Sequence, residues 1–147
     1  MDASRLVDNS VELTEAFGSW PSFHDAKVLE ATRGQNSLSL VAHLFVMTNR
    51  VDEAGYYVLE KHHLVKIEML GVESDALPSD YSTDCLDRLA ISRSGDLLRV
   101  DLGSHMGNDG HILCRMVRVA SVTPCSPKGV PLAPNNSFKP SPLRGPA

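Results

Sequence analysis

The residues best suited to chemistry fall in one short run, Trp20-Pro21-Ser22-Phe23-His24-Asp25-Ala26. It holds the chain's single Trp, a Pro with a fixed φ, and an adjacent imidazole and carboxylate. A His beside an Asp suggests acid–base work. Covalent catalysis would add a nucleophile, for which Ser22 and Cys85 are available. Neither sits in a nucleophile elbow or a cysteine-enzyme signature. In an extended segment, moreover, adjacent side chains such as His24 and Asp25 point to opposite faces. The pattern therefore predicts a structural role. His24 and Asp25 hydrogen-bond backbone groups where a helix passes into a sheet, and Trp20 and Phe23 are buried anchors. No catalytic residue is assigned, and the chain is read as a non-enzyme. The alternative is a small-ligand-binding or enzymatic β domain with His24 and Asp25 in a pocket, which requires them to line a concavity with other polar groups.

Other side chains of reactive type are scattered. His24, His43, His62, His63, His105 and His111 follow no metal-binding spacing such as HExxH, so no metal or cofactor is expected. His62 and His63 are neighbours in a strand-like stretch, so their rings should diverge. The loop from Gly103 to Gly110 matches neither a dinucleotide nor a phosphate-loop pattern. A second candidate surface is acidic. Glu73, Asp75, Asp80, Asp84 and Asp87 run without an intervening Lys or Arg, interleaved with Leu77, Pro78 and Tyr81. Acids around an exposed aromatic suit a contact with a basic protein, Tyr81 giving apolar burial and the acids setting encounter rate.

The charge balance points the same way. The 147 residues carry a formal charge of −4. No acid follows Asp109, while residues 126–147 hold Lys128, Lys139 and Arg144. Without those three, eleven basic residues stand against 18 acids, leaving the body at −7. Nucleic acid is disfavoured as a partner, because phosphate binding needs a basic face. No apolar run is long enough for a membrane span, and residues 1–7 show no secretory pattern. Cys85, Cys114 and Cys125 are odd in number and form no CxxC, so no disulfide framework is expected and the cytoplasm is the expected compartment.

The elements that must position these groups are read from periodicity. Asn9-Ser10-Val11-Glu12 predicts a helix start capped by Asn9, Leu13 and Phe17 have helical spacing, and Gly18 ends the helix. From Ala26 the period becomes two, with a turn at Gly34-Gln35-Asn36 and a long strand bearing Leu38, Leu40, Ala42, Leu44 and Val46 on one face. Residues 49–55 read as a polar loop and residues 56–72 as a strand. Residues 86–93 fit a strand or a short helix. After the turn Ser94-Gly95-Asp96 comes a half-buried strand with Leu98, Val100 and Leu102. A single final strand is predicted from His111 to Val122. Without crossover helices the pairing should be antiparallel. The expected fold is α+β: a curved or partly barrel-like sheet of about six strands, with the N-terminal helix packed on it. One globular domain over residues 1–125 precedes a Pro-rich tail, residues 126–147, expected to be disordered because it holds too few core residues.

The stretch Gly18-Ser19-Trp20-Pro21-Ser22-Phe23-His24-Asp25-Ala26-Lys27-Val28-Leu29 resembles the opening of a bacterial polymorphic-toxin immunity family, immunity protein family fifty. That family has a Trp/Pro lead-in, then Phe-His-Asp-Ala, commonly an acid, and an aliphatic strand. Lys27 stands here in place of the acid. Softer likenesses are a His-rich entry to Val65-Lys66-Ile67, the Gly71-Val72 step and a closing strand with Cys114, so the resemblance spans residues 17–124. It implies a small cytoplasmic protein that binds and neutralises a cognate toxin by occlusion, with no catalytic residues to carry over.

Overall fold

The structure, a computed structural model, describes residues 3–79, 81–83, 85–104, 107 and 109–132. A 3-10 turn, Ala3–Leu6, leads into β1 (Val7–Asp8) and helix α1 (Ser10–Phe17). The strands β2 (Lys27–Gly34), β3 (Ser37–Val51), β4 (Tyr57–Leu70) and β5 (Ser74–Asp75) follow. Then come β6 (Leu86–Ser94), β7 (Leu97–Ser104), β8 (Gly110–Cys114) and β9 (Met116–Pro124). They form two sheets, β1-β9-β4-β3-β2 and β5-β8-β7-β6. All ladders are antiparallel except β1 with β9. The α+β expectation stands at this level; the single, partly barrel-like sheet of about six strands does not.

The reason lies at one corner. The β4/β9 ladder reaches Leu70↔Met116 and resumes in the other sheet as β5/β8 at Ser74↔Leu113. Between them the Arg115 amide donates to the carbonyl of Leu70 at 3.0 Å and that of Gly71 at 3.2 Å. Gly71 takes φ 64°, and a Cβ there would lie 3.0 Å from the Arg115 Cβ. Two chain segments thus change sheets back to back, which only a residue without a side chain allows. The expected strand from His111 to Val122 is accordingly two strands broken at Arg115.

Period-two alternation puts one face of each sheet into a common core. Leu38, Leu40, Ala42 and Leu44 of β3 join Val65, Ile67 and Met69 of β4. They meet Val100 and Leu102 of β7 and Ile112 and Cys114 of β8. α1 lies against β9 and buries Leu13 completely. Gly18, at φ 84°, ends it as expected, its amide donating to the Thr14 carbonyl. Asn9 does not cap it. Asn9 is left-handed at φ 61° and its Nδ2 instead donates to the Val119 carbonyl at 2.9 Å, tying the helix start to β9.

Two expected boundaries move. β3 continues through the expected loop to Val51, and the turn tightens around Asp52, whose Oδ1 accepts from the amides of Ala54 and Tyr56. Residues 86–93 are a strand. Past the ordinary sheet, β3 and β4 form a two-stranded arm, since β2 begins opposite His43 and β9 ends opposite His63. Residues 124–132 make a turn in which Cys125 bridges Pro131 and the Leu132 amide donates to the Pro124 carbonyl. The rest of the expected tail lies outside the described residues.

Candidate functional site

Residues 18–26 fill the gap between α1 and β2 as a tightly bonded turn. Phe23 and Asp25 both take left-handed backbone, φ 65° and 67°. For a side-chain-bearing residue that conformation costs energy and persists only where surroundings impose it. The surroundings here are specific. The Asp25 amide donates to the Leu86 carbonyl and the Leu86 amide to the Ala26 carbonyl, each at 2.8 Å. The Ala26 amide donates to the Phe23 carbonyl, and Val28 and Thr83 exchange both amide bonds. The chain before β2 is thereby stitched to the segment leading into β6. Beneath the turn, Phe23 is 2% exposed and Trp20 is half-buried, their rings 5.8 Å apart. Both anchors sit where helix meets sheet.

The left-handed backbone at Asp25 breaks the extended alternation. His24 and Asp25 therefore do not diverge: both line one cleft of about 400 Å³ with Trp20, Ser22, Phe45 and Met47. His24 Nδ1 lies 3.1 Å from the Asp87 carbonyl, which can only accept, so that nitrogen carries the proton. His24 Nε2 then faces Asp25 Oδ1 at 3.6 Å. The Cys85 thiol donates to the same oxygen at 3.0 Å. Ser22 Oγ accepts the His24 amide at 3.2 Å. The arrangement suits holding a ligand by charge, hydrogen bonds and an indole surface.

The acidic segment turns out differently. Asp75 is clasped by Arg33, whose Nε lies 2.7 Å from Asp75 Oδ2. The same guanidinium donates to the carbonyls of Leu77, Pro78 and Ser79. The Arg33 bond holds the Asp75 carboxyl below the usual range. Glu73 pairs with Arg115. Tyr81 is 2% exposed, a core residue and not an exposed aromatic, and burial followed by the Asp109 charge raises its phenol pKa. The expected contact face therefore lacks its aromatic, and its two first acids are neutralised within the molecule. Asp87 is exposed, with its carbonyl at His24. Asp80 and Asp84 lie outside the described residues.

Sequence reasoning missed Phe45 and Met47 as cleft walls, and Arg33 and Arg115 as partners of the acids. It also missed the pairing of His43 Nε2 with His62 Nδ1 at 3.0 Å. His43 is 4% exposed, and burial, with the His62 ring and the Lys27 ammonium, holds its pKa below the usual histidine range. His63 instead meets the Phe17 ring, 5.1 Å between centroids. Among the described residues no cluster of three or more His, Cys, Asp or Glu could hold a metal ion, and no helix is long and apolar enough to cross a membrane. Compared with family models, curated proteins and solved structures, the chain matches none.

Proposed function

We propose that this chain is an immunity-type binding protein that neutralises a cognate toxin by occlusion, and that it meets the toxin with the Trp20–Asp25 cleft. One observation carries the reading. The Phe23-His24-Asp25-Ala26 block, on which the resemblance rests, forms the strained turn that presents His24 and Asp25 at that cleft. The cleft and not the acidic segment is the proposed contact, because Tyr81 is buried and Glu73 and Asp75 are ion-paired. The partner surface is basic, the compartment cytoplasmic, and the chain acts without catalysis. A rigid turn suits occlusion, since a preordered surface loses little entropy on binding.

The test uses the protein encoded beside this chain's gene. Calorimetry should show a 1:1 complex, weakened at least about tenfold by His24→Ala with Met47→Ala, or roughly 1.4 kcal/mol. Glu73→Gln with Asp75→Asn should leave affinity within about twofold. Tight binding untouched by the cleft variant would move the contact elsewhere, and no complex would end the reading.

A second reading has its own support: Ser19 and Ser22 share the cleft with His24 and Asp25, as a small-ligand pocket requires. Melting the protein against a panel of small amines and carboxylates separates the two. A saturable rise in Tm, lost in His24→Ala, would favour the small ligand.

A further inference from the structure

We propose that the cleft takes an extended segment of the partner protein, which pairs with the open side of β3 at Phe45, Val46 and Met47 and carries a Lys or Arg side chain over Trp20 toward Asp25. This rests on the cleft being the contact site. The first support is a vacated lane beside β3. β2 begins at Lys27, opposite His43, and the chain just before it is bonded to Leu86. β3 continues to Val51, its other side still paired with β4 through Val46↔Glu60 and Met47↔Leu59. Among the described residues no strand pairs with β3 on the β2 side beyond His43. An open strand edge presents a row of amide donors and carbonyl acceptors, the template on which peptide strands are added.

The second support is that this edge is itself a wall of the cleft. Phe45, Val46 and Met47 line it together with Trp20, Ser22, His24 and Asp25. A strand laid in the lane would therefore turn alternate side chains into the cleft. Met47, 53% exposed, would gain apolar contact beside it.

The third is charge. The Asp25 side chain keeps 32% of its surface exposed at the cleft, and the whole chain is net −4. An incoming ammonium or guanidinium meets a carboxylate and the indole surface of Trp20 together. An incoming carboxylate meets repulsion. The occupant is thus a β-strand with a central cation.

The test uses the full chain and capped synthetic heptapeptides, Thr-Val-Thr-Arg-Thr-Val-Thr and the same peptide with Glu at the centre. A third peptide keeps Arg but carries N-methyl groups on alternate amides, which blocks strand pairing. The single Trp makes Trp20 fluorescence the readout, with amide shifts at Phe45, Val46 and Met47 as the second. The Arg peptide should saturate both signals, and the Glu peptide should bind at least about tenfold more weakly. N-methylation should abolish binding. Asp25→Asn should cut the preference for Arg to within about twofold. Asn tolerates left-handed backbone and still accepts the Cys85 hydrogen, and an unchanged melting curve confirms that the variant is folded. Equal affinity for the Arg and Glu peptides, undiminished binding of the N-methylated peptide, or no saturable response would each overturn the proposal. The calorimetric test with the neighbouring gene's protein does not depend on these peptides, so the two readings fail separately.

Discussion

The turn at residues 18–26 and the segment at residues 73–87 both combine acids with aromatics, yet the fold uses them in opposite ways. In the segment, Tyr81 enters the core and Arg33 and Arg115 reach in to neutralise Asp75 and Glu73. In the turn, Phe23 enters the core while Trp20, His24 and Asp25 stay at an open cleft. Backbone explains the difference. The segment is held by a guanidinium donating to three of its carbonyls, so its charge becomes internal mortar. The turn is held by main-chain bonds to Leu86, and its His24 and Asp25 side chains, bonded to the Asp87 carbonyl and the Cys85 thiol, still line the cleft. An acidic run is a surface only if its counter-charges lie outside the molecule.

The strongest way to break this comparison is to remove the aromatic anchor from each side. Phe23→Ala and Tyr81→Ala should each cost roughly 3–5 kcal/mol in urea unfolding, since both rings are fully buried. A loss below about 1 kcal/mol at Tyr81 would return that ring to the surface and restore the acidic segment as a contact face. A smaller effect is expected from Arg33→Met, which keeps the apolar stem and removes the charge. It should cost about 1–3 kcal/mol, because hydrogen bonds to charged groups are lost and three carbonyls lose a donor. Amide exchange at residues 76–79 should quicken while residues 23–28 stay protected. Equal quickening in both would mean that the two regions are one cooperative unit.

Acid should destabilise the fold through the buried His43. His43 is held neutral by burial, with His62 and Lys27 adding to the effect. The unfolded chain takes up that proton near pH ~6.5, the folded chain only at lower pH. Between the two values the unfolded state binds more protons, so stability falls as pH drops below ~6.5 and levels off under the folded value. Denaturant midpoints over that range should show this slope, flattened in His43→Gln. An unchanged slope would assign the acid sensitivity to another group. The smallest effect belongs to Glu73→Gln. Its pair with Arg115 is exposed, 44% and 64% by side chain, so stability should move by less than about 0.5 kcal/mol. A larger change would show the Glu73–Arg115 pair bracing the corner where the chain changes sheets.

The sequence alone determined the local pattern. Helical spacing of Leu13 and Phe17 with Gly18 behind them set α1, and alternation along residues 38–46, 65–69 and 98–102 marked the buried faces. The turn before Ser37 and the one at Gly95 were legible because turn chemistry acts over two or three residues. The importance of Trp20, Phe23, His24 and Asp25 was legible from residue type. Only the tertiary structure decided that Asp25 is left-handed, since main-chain bonds to Leu86 impose that backbone on a residue with a side chain. It alone paired Arg33 with Asp75, 42 residues apart, and brought Phe45 and Met47 to the same cleft as Trp20. It alone sent the chain from one sheet to the other at Gly71 and Arg115. Periodicity says which face of a strand is buried. Which strand lies beside it, where that neighbour stops, and which distant charge arrives are settled by chain closure over tens of residues, and no local window records that.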